Sequence, residues 1–423
     1  MTEPSTLAPQ EVNRNFALGV TNGALFKVFF TLIDPSVVLT WFLSQLGAGA
    51  FVIGLLTPMQ NVGWFLPQLL MSNYVQRQPR KMTVFRQFAV GRVVLWLAFV
   101  ILVLALGDRN PGLLLTGFLV IYSSYWLMAG VSGPAFMDIL GSSLPADRRG
   151  SLWAMRDFVG GILAIGAAAL ARYILDDARG WPFPLNFGIL FAVATPFVVA
   201  SLAVFSMIHE APASVRTSGP MRFLDLASVR TILRQDRDLR LFLIARTSML
   251  MTWTAVPFYT VFARDVLGAP SGVIGTYLGL MTAALLGSSL FWGRLCDRKG
   301  TRLVMLGVTL LMLPQPLIPL LMGARIPYTL FGVVYILQGV VQAGMEVFAS
   351  NYILDLAPSQ QRVIYISFSN TALGIVSLVL ALAGVVAQVW GLTALFALCT
   401  LSALLAPALT WRLREPRVRS EAS

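Results

Sequence analysis

Apolar runs of about 20 residues recur from one end of this 423-residue chain to the other. A helix of about 20 apolar residues is long enough to cross the ~30 Å hydrocarbon core of a bilayer. Hydrophobic residues make up 57% of the chain and charged residues only 12%. One water-soluble core could not bury so much apolar surface, because single cores stop growing near about 250–300 residues. The sequence therefore predicts an all-α polytopic membrane protein.

We predict twelve spans and number them in chain order. They lie near 16–34, 50–74, 83–106, 112–136, 151–174, 186–208, 241–261, 271–292, 303–323, 328–350, 364–388 and 390–411. The longest polar connection separates the first six spans from the last six. We therefore expect an N-terminal six-helix bundle over 1–208, a central loop with a short amphipathic helix over 209–240, and a C-terminal six-helix bundle with its tail over 241–423.

Lys and Arg are distributed unequally between the connections. The side that holds both termini carries 21 of the 31 basic residues, the opposite side carries 4, and the remaining 6 lie within spans. Cytoplasmic connections are the ones that accumulate Lys and Arg in membrane proteins. We therefore predict a multi-pass protein of the cytoplasmic (inner) membrane with both termini in the cytoplasm.

The polar residues do not form a catalytic or metal-binding set. The chain has two Cys and one His, and no Ser/His/Asp set, Cys/His set or phosphate-binding loop is visible. We expect neither enzyme activity nor a cofactor or metal. The net charge of +12 is spread over short connections and does not form one patch, which argues against nucleic acid as a partner. The expected partners are a small solute and the lipid bilayer, and we expect a monomer.

The two halves of the chain repeat each other. The segment LGAGAFVIG at 46–54 matches LGAPSGVIG at 267–275, and the same offset of 221 residues places SNYVQRQPRK at 72–81 over GRLCDRKGTR at 293–302. A third match places 144–161 over 357–374 with an offset of 213. Since six spans separate the copies, they have the same orientation and form parallel repeats.

The segment 293–302 carries a recognisable pattern. Its Gly293, Leu295, Asp297, Arg298, Gly300 and Arg302 resemble the signature between the eighth and ninth helices of the major facilitator superfamily. Together with the six-plus-six spans, this resemblance covers the whole chain. It implies two bundles around a central cavity and secondary transport by alternating access. It does not identify a substrate, and span 5 lacks the Pro of the superfamily's drug antiporters.

The resemblance also implies that the segment 293–302 contacts the opposite bundle near span 5 and latches the outward-open state. Span 5 carries Arg156 and Asp157, and we predict an ionic clasp between Asp297 and either Arg156 or the start of span 5. The alternative is that the segment only fixes the orientation of the chain. The latch candidates are Gly293, Asp297, Arg298, Gly300, Arg302, Arg156 and Asp157.

Spans 1, 4, 7 and 10 surround the cavity in the superfamily, so their polar residues are the first candidates for solute contact. A Lys in mid-span is costly unless it faces a cavity or a partner, and Lys27 is such a residue. The candidates are Lys27, Thr31, Gln60, Trp64, Arg92, Tyr122, Tyr125, Arg246, Trp253, Gln338 and Gln342, with Glu346 and Asp34 for proton coupling. Interhelical pairing or ordinary packing is the alternative role for each of them.

The deepest predicted charges are basic. Lys27, Arg92 and Arg246 lie in mid-span, whereas the acids lie nearer the span ends, and this balance favours an anionic or zwitterionic solute. The sequence thus predicts a secondary transporter for a small organic solute, with proton coupling left open. The alternatives are a multidrug/proton exporter and a non-transporting membrane scaffold or sensor.

Overall fold

The computed structural model describes residues 8–78, 80–107, 109–210, 233–234, 236–356, 362–380 and 382–416. Every regular element in these ranges is helical, which confirms the all-α class. The α-helices are α1 Pro9–Leu32, α2 Thr40–Gln45, α3 Ala50–Arg77, α4 Lys81–Leu106, α5 Pro111–Ser143, α6 Ala146–Leu175, α7 Leu185–Phe205, α8 Arg237–Trp253, α9 Val256–Asp265, α10 Val273–Lys299, α11 Thr301–Met312, α12 Pro314–Met322, α13 Tyr328–Leu356, α14 Arg362–Leu380 and α15 Ala383–Trp411.

Ten helical stretches in the described part of the chain are long and apolar enough to cross a membrane. The predicted spans outside these ten are 50–74 and 364–388, which fall on α3 and α14. The fold class is therefore confirmed, and the count of twelve spans stays a prediction. The short amphipathic helix expected in the central loop falls largely on residues 211–232 and 235, which lie outside the described residues.

Two predicted spans are interrupted. Span 7 is divided between α8 and α9, and span 9 between α11 and α12, with Pro257 and Pro314 in the first turn of the second helix of each pair. Proline has no N–H for the helix ladder and fits the first turn, where none is needed. Span 12 was expected to begin at 390, and the non-helical Gly391 inside α15 marks that place.

The helix α4 illustrates how a span divides its two faces. Val90, Val94 and Ile101 are exposed apolar residues at helical spacing, whereas Trp96 and Phe99 are buried. An exposed stripe of branched aliphatic side chains is costly in water and favourable in hydrocarbon. The pattern therefore fits a helix with lipid on one side and protein on the other.

The chain divides into two compact units, Met1–Gly47 with Met59–Met221, and Ala48–Pro58 with Arg222–Ser423. Residues 48–58 thus group with the second unit, although the sequence analysis assigned them to the N-terminal bundle. In the first unit a cluster of phenylalanine rings packs with centroids 5.1–6.4 Å apart: Phe42, Phe99, Phe118, Phe187 and Phe191. In the second unit the rings of Phe242 and Tyr352 stack at 4.9 Å.

Close approach of α3 and α5 depends on two glycines. A Cβ on Gly130 would meet the carbonyl oxygens of Gly63 and Trp64, and a Cβ on Gly63 would meet the backbone at Trp126. Small residues allow the backbones of membrane helices to approach in this way. The contact places two polar-lined helices side by side, and both contribute to the cavity described below.

Both halves use the same carboxylate cap. Glu210, which follows α7, accepts hydrogen bonds from the amides of Lys81 (2.9 Å) and Met82 (3.0 Å) at the start of α4. Glu415, which follows α15, accepts them from Thr301 (3.3 Å) and Arg302 (2.9 Å) at the start of α11. A carboxylate at a helix N-terminus satisfies free amides and complements the helix dipole. This shared contact supports the internal duplication predicted from the sequence.

The charged segment 293–302 contains almost no loop. The helix α10 continues through Lys299 and α11 begins at Thr301, so Gly300 alone joins them, with φ +89° and ψ 171°. This region of backbone conformation is essentially restricted to glycine. A Cβ on Gly300 would also meet the carboxylate of Glu415. The last glycine of the predicted motif is therefore required by both the backbone and the cap.

We expect Gly300→Ala to lower the free energy of unfolding by about 1–3 kcal/mol, because alanine is strained at this φ and its methyl group displaces the cap. The measurement is the thermal unfolding midpoint of the full-length protein in detergent. Gly293→Ala is the matched control, since Gly293 lies inside α10 and a Cβ there has nothing within 4 Å. Equal midpoints for the two variants would contradict the required role of Gly300.

Candidate functional site

A cavity of about 540 Å³ lies entirely within the first unit. Side chains from six helices, α1 and α3 to α7, line it with basic, amide and aromatic groups. Its lining residues are Asn22, Gly23, Phe26, Lys27, Phe30, Gln60, Asn61, Trp64, Phe85, Arg92, Trp126, Ser132, Gly133, Phe136, Met137, Trp153, Arg156, Asp157 and Leu202.

Lys27 reaches the cavity from the middle of α1. The side chain is half-buried, and the start of its aliphatic stem packs against Gly160 of α6. Its own carbonyl accepts the hydroxyl of Thr31 at 2.8 Å. No carboxylate of the described residues lies within ion-pair distance of its ammonium group. Asp34 interacts with this ammonium group electrostatically from a greater distance. A half-buried ammonium in a span that lacks a close ion pair is costly, so this position favours a negatively charged ligand.

Arg92 lines the cavity from α4 and is held in place by aromatic side chains. It is 6% exposed, and its Nη2 donates a hydrogen bond of 2.9 Å to the hydroxyl of Tyr125. Its guanidinium lies over the rings of Tyr125 (4.8 Å) and Phe26 (5.8 Å). Its buried Nε has no hydrogen-bond partner in the described residues. The aromatic contacts hold the cation, and one donor remains unsatisfied.

Arg156 is held by a polar network on α1, α6 and α7. Its Nη1 donates to the carbonyl of Gly19 and to Oδ1 of Asn22, both at 3.0 Å. The amide of Asn22 in turn donates to the carbonyl and hydroxyl of Ser201 at 2.9 Å. The missing side chain of Gly23 leaves the space that the guanidinium occupies. The network therefore fixes a cation at the wall of the cavity.

The structure brings together four of the residues predicted to contact solute: Lys27, Gln60, Trp64 and Arg92. It also places Arg156 and Asp157 in the same cavity, although the sequence analysis assigned them to the latch. Tyr122 and Tyr125 are buried on α5 and do not line the cavity; Tyr125 acts through its bond to Arg92. Thr31 is likewise absent from the lining.

Asp34 has a local role that the sequence analysis did not foresee. Its Oδ1 accepts hydrogen bonds from the backbone amides of Ser36 (2.9 Å) and Val37 (3.0 Å) and from the hydroxyl of Ser36 (2.6 Å). These bonds cap a π-helical turn, Pro35–Leu39, between α1 and α2. All three bonds go to Oδ1, so the cap engages one of the two carboxylate oxygens.

The predicted residues of the second unit do not line this cavity. Arg246 has its guanidinium 5.4 Å from the ring of Phe348, and its Nε and Nη1 are buried without a hydrogen-bond partner in the described ranges. Gln338 is 2% exposed, and Gln342 donates to Glu346 at 3.4 Å. Trp253 packs against the buried apolar cluster of its unit. A solute role for these residues stays a prediction.

The proposed clasp between Asp297 and Arg156 would join residues of two separate units and also stays a prediction. The structure places Asp297 and Arg298 at exposed positions in the last turn of α10. Arg302 donates to the carbonyl of Trp411 at 2.7 Å. Arg156 is held by α1 through Nη1 alone, so both predicted partners of Asp297 stay open.

Sequence reasoning missed Asn22 and Ser201, which hold Arg156 in place. Asn15, Gly19, Asn22 and Gly23 follow one another at helical spacing on α1, so a longer polar stripe on this helix was visible. Ser201 lies alone in an apolar run and gives no such signal. In the described ranges no group of three or more His, Cys, Asp or Glu side chains could hold a metal ion.

The second half of the chain, residues 241–423, matches the family model described as Major Facilitator Superfamily. Solved structures with the same fold include a bacterial homologue of the iron transporter ferroportin (TM-score 0.70, 16% identity, 96% of this chain and 99% of that chain). They also include the nucleoside transporter NupG (TM-score 0.69, 12% identity, 95% of this chain and 98% of that chain). A third is a D-xylose-proton symporter (TM-score 0.66, 15% identity, 96% of this chain and 99% of that chain). The family match confirms the predicted resemblance to the superfamily for the second half of the chain, and the solved structures show that the whole chain shares their fold.

Two relatives in sequence are uncharacterized proteins of Mycobacterium tuberculosis and Mycobacterium bovis. Each is 22% identical over 385 residues, which cover 85% of this chain and 73% of the relative. The likeness extends across both halves of the chain.

We expect Asn22→Ala to destabilise the protein by about 1–3 kcal/mol, because the change removes the acceptor for Nη1 of Arg156 and the donor to the buried carbonyl and hydroxyl oxygens of Ser201. The unfolding midpoint in detergent and the fluorescence of Trp153, whose ring lies 4.9 Å from the Arg156 guanidinium, are the two measurements. Asn13→Ala on the exposed face of the same helix is the control, since it removes only the exposed hydrogen bond that Asn13 accepts from Arg148 at 2.7 Å. If both variants unfold alike with unchanged fluorescence, the network does not hold Arg156.

Proposed function

Because its second half matches the Major Facilitator Superfamily and the whole chain has the fold of that superfamily's transporters, we propose that this protein is a secondary transporter. It moves a small organic solute across the cytoplasmic membrane by alternating access. The observation that carries the proposal is the charged, aromatic-lined cavity among the span-forming helices of the first unit.

The positions of the charges support a transported solute. Lys27, Arg92 and Arg156 lie within the candidate spans Pro9–Gln45, Lys81–Leu106 and Arg148–Leu175. Charged groups at such positions are expensive and mark solute or ion pathways in membrane proteins. A scaffold gains nothing from three basic groups around one cavity, so the cavity favours transport over the non-transporting alternative.

The lining residues offer three kinds of contact to a solute. Arg92 and Lys27 supply charge, and the amides of Gln60 and Asn61 supply hydrogen bonds on α3. Aromatic rings such as Trp64 enclose the apolar part of a solute. Asp34 accepts three hydrogen bonds as a cap, and Asp34 and Glu346 both stay candidates for proton coupling.

We expect Arg92→Gln to reduce solute counterflow at least about tenfold, because loss of the charge removes a contact in the cavity. The full-length protein is reconstituted in liposomes, a metabolite panel is screened for thermal stabilisation, and each hit is tested for counterflow. Arg172→Gln is the matched control, since Arg172 is exposed on α6 and does not line the cavity. The absence of counterflow for every stabilising metabolite would contradict transport.

We expect Asp297→Asn to change the reaction rate of a cavity cysteine, because the latch proposal gives this carboxylate a role in the balance of conformations. Met137→Cys supplies the probe, since Met137 lines the cavity and the native Cys296 and Cys399 are buried. A water-soluble maleimide measures the rate, and Asp265→Asn serves as the control. An unchanged reaction rate in Asp297→Asn would contradict the latch proposal and would leave the cavity proposal intact.

A further inference from the structure

The chemical class of the solute follows from the charges and rings that line the cavity of the first unit. We infer that this cavity binds an organic anion, a carboxylate or a phosphate ester, that carries an apolar body. This inference rests on the proposed transport function and identifies the class of solute for the same site.

The charge of the lining is the first step. Three basic residues, Lys27, Arg92 and Arg156, and one acid, Asp157, line the cavity. None of the three cations has a carboxylate oxygen within 4.0 Å in the described part of the chain. Buried or half-buried charges are normally paired, because desolvation of an isolated charge is expensive. Asp34 and Asp157 interact with Lys27 and Arg156 only from beyond this distance, and an anionic group that enters the cavity supplies a counter-charge in direct contact.

The hydrogen bonds of the cations are the second step. Tyr125 takes one donor of Arg92, while the buried Nε of Arg92 has no partner. Asn22 and Gly19 fix Arg156 through a single nitrogen, Nη1. A fixed guanidinium with free donors suits the planar geometry of carboxylate and phosphate oxygens. Lys27, on a flexible stem, adds a point charge that adapts to the position of the anion.

The aromatic side chains are the third step. Rings contributed by α1 and α3 to α6 form much of the remaining wall: Phe26, Phe30, Trp64, Phe85, Trp126, Phe136 and Trp153. Rings of this kind contact apolar and aromatic ligand bodies through their faces and edges. A fully hydroxylated solute would leave these surfaces without a matching partner. The anion is therefore expected to carry an aliphatic or aromatic portion.

Binding to the full-length protein in a neutral detergent tests this inference. The probes share one aromatic body and differ in charge: phenylacetate and phenyl phosphate are anions, phenylacetamide is neutral, and phenethylamine is a cation. Trp64, Trp126 and Trp153 line the cavity, so tryptophan fluorescence reports occupancy. We expect saturable quenching by at least one anion, with a Kd about tenfold or more below the values for the neutral and cationic probes.

Variants assign the effect to the cavity. Lys27→Gln is expected to weaken binding of the preferred anion about tenfold and to leave binding of phenylacetamide unchanged. Asp157→Asn is expected to strengthen anion binding, because it removes the negative charge that lines the cavity. Arg172→Gln is the control for a general loss of positive charge on α6. The relative affinities of phenylacetate and phenyl phosphate identify the preferred anionic group.

The outcomes separate this inference from the transport proposal. Equal or weaker binding of both anions relative to the neutral or cationic probe overturns the anion inference. If a neutral solute then gives counterflow, transport stands without it. If an anion binds in a Lys27-dependent manner but gives no counterflow with the reconstituted protein, the anion site stands and transport fails.

Discussion

Hydrocarbon offers no hydrogen-bond partner to a backbone amide or carbonyl, and this constraint shapes the whole molecule. Helices satisfy their own backbone groups, so the regular elements of the described chain are helical. Helix ends and polar side chains need other partners. The carboxylates of Glu210 and Glu415 provide them at the starts of α4 and α11, and several polar groups of the first unit line one cavity.

Within that cavity the polar side chains have two kinds of role. Asn22, Ser201 and Tyr125 face other protein groups and hold the two arginines in place. Lys27 interacts electrostatically with Asp34 but has no carboxylate within ion-pair distance in the described ranges, and the buried Nε of Arg92 has no hydrogen-bond partner there. Residues that position a cation are thus distinct from the groups that remain unsatisfied, and the unsatisfied groups carry the argument about solute chemistry.

Residue spacing predicted part of this site and missed another part. Lys27 and Arg92 were predicted because a charge in mid-span is conspicuous in an apolar sequence. Arg156 was predicted for a latch because it lies near the end of a span. That position gave no sign that its side chain donates a hydrogen bond to Asn22 of α1. Tyr122 was predicted for the cavity wall, but its ring is buried away from the cavity lining. Ring burial depends on which face of α5 meets its neighbours, and the sequence of that helix does not reveal the face.

The sequence by itself determined the helical class, the approximate positions of the spans, the internal duplication and the resemblance to the superfamily. These properties follow from composition, from the length of apolar runs and from matches along the chain, all of which are local or repeated signals. Only the tertiary structure decided which charges share one cavity, which are held by protein partners, and which donors remain free. Those properties depend on the packing of helices distant in sequence, since Arg156 and Asn22 are 134 residues apart and still 3.0 Å from donor to acceptor.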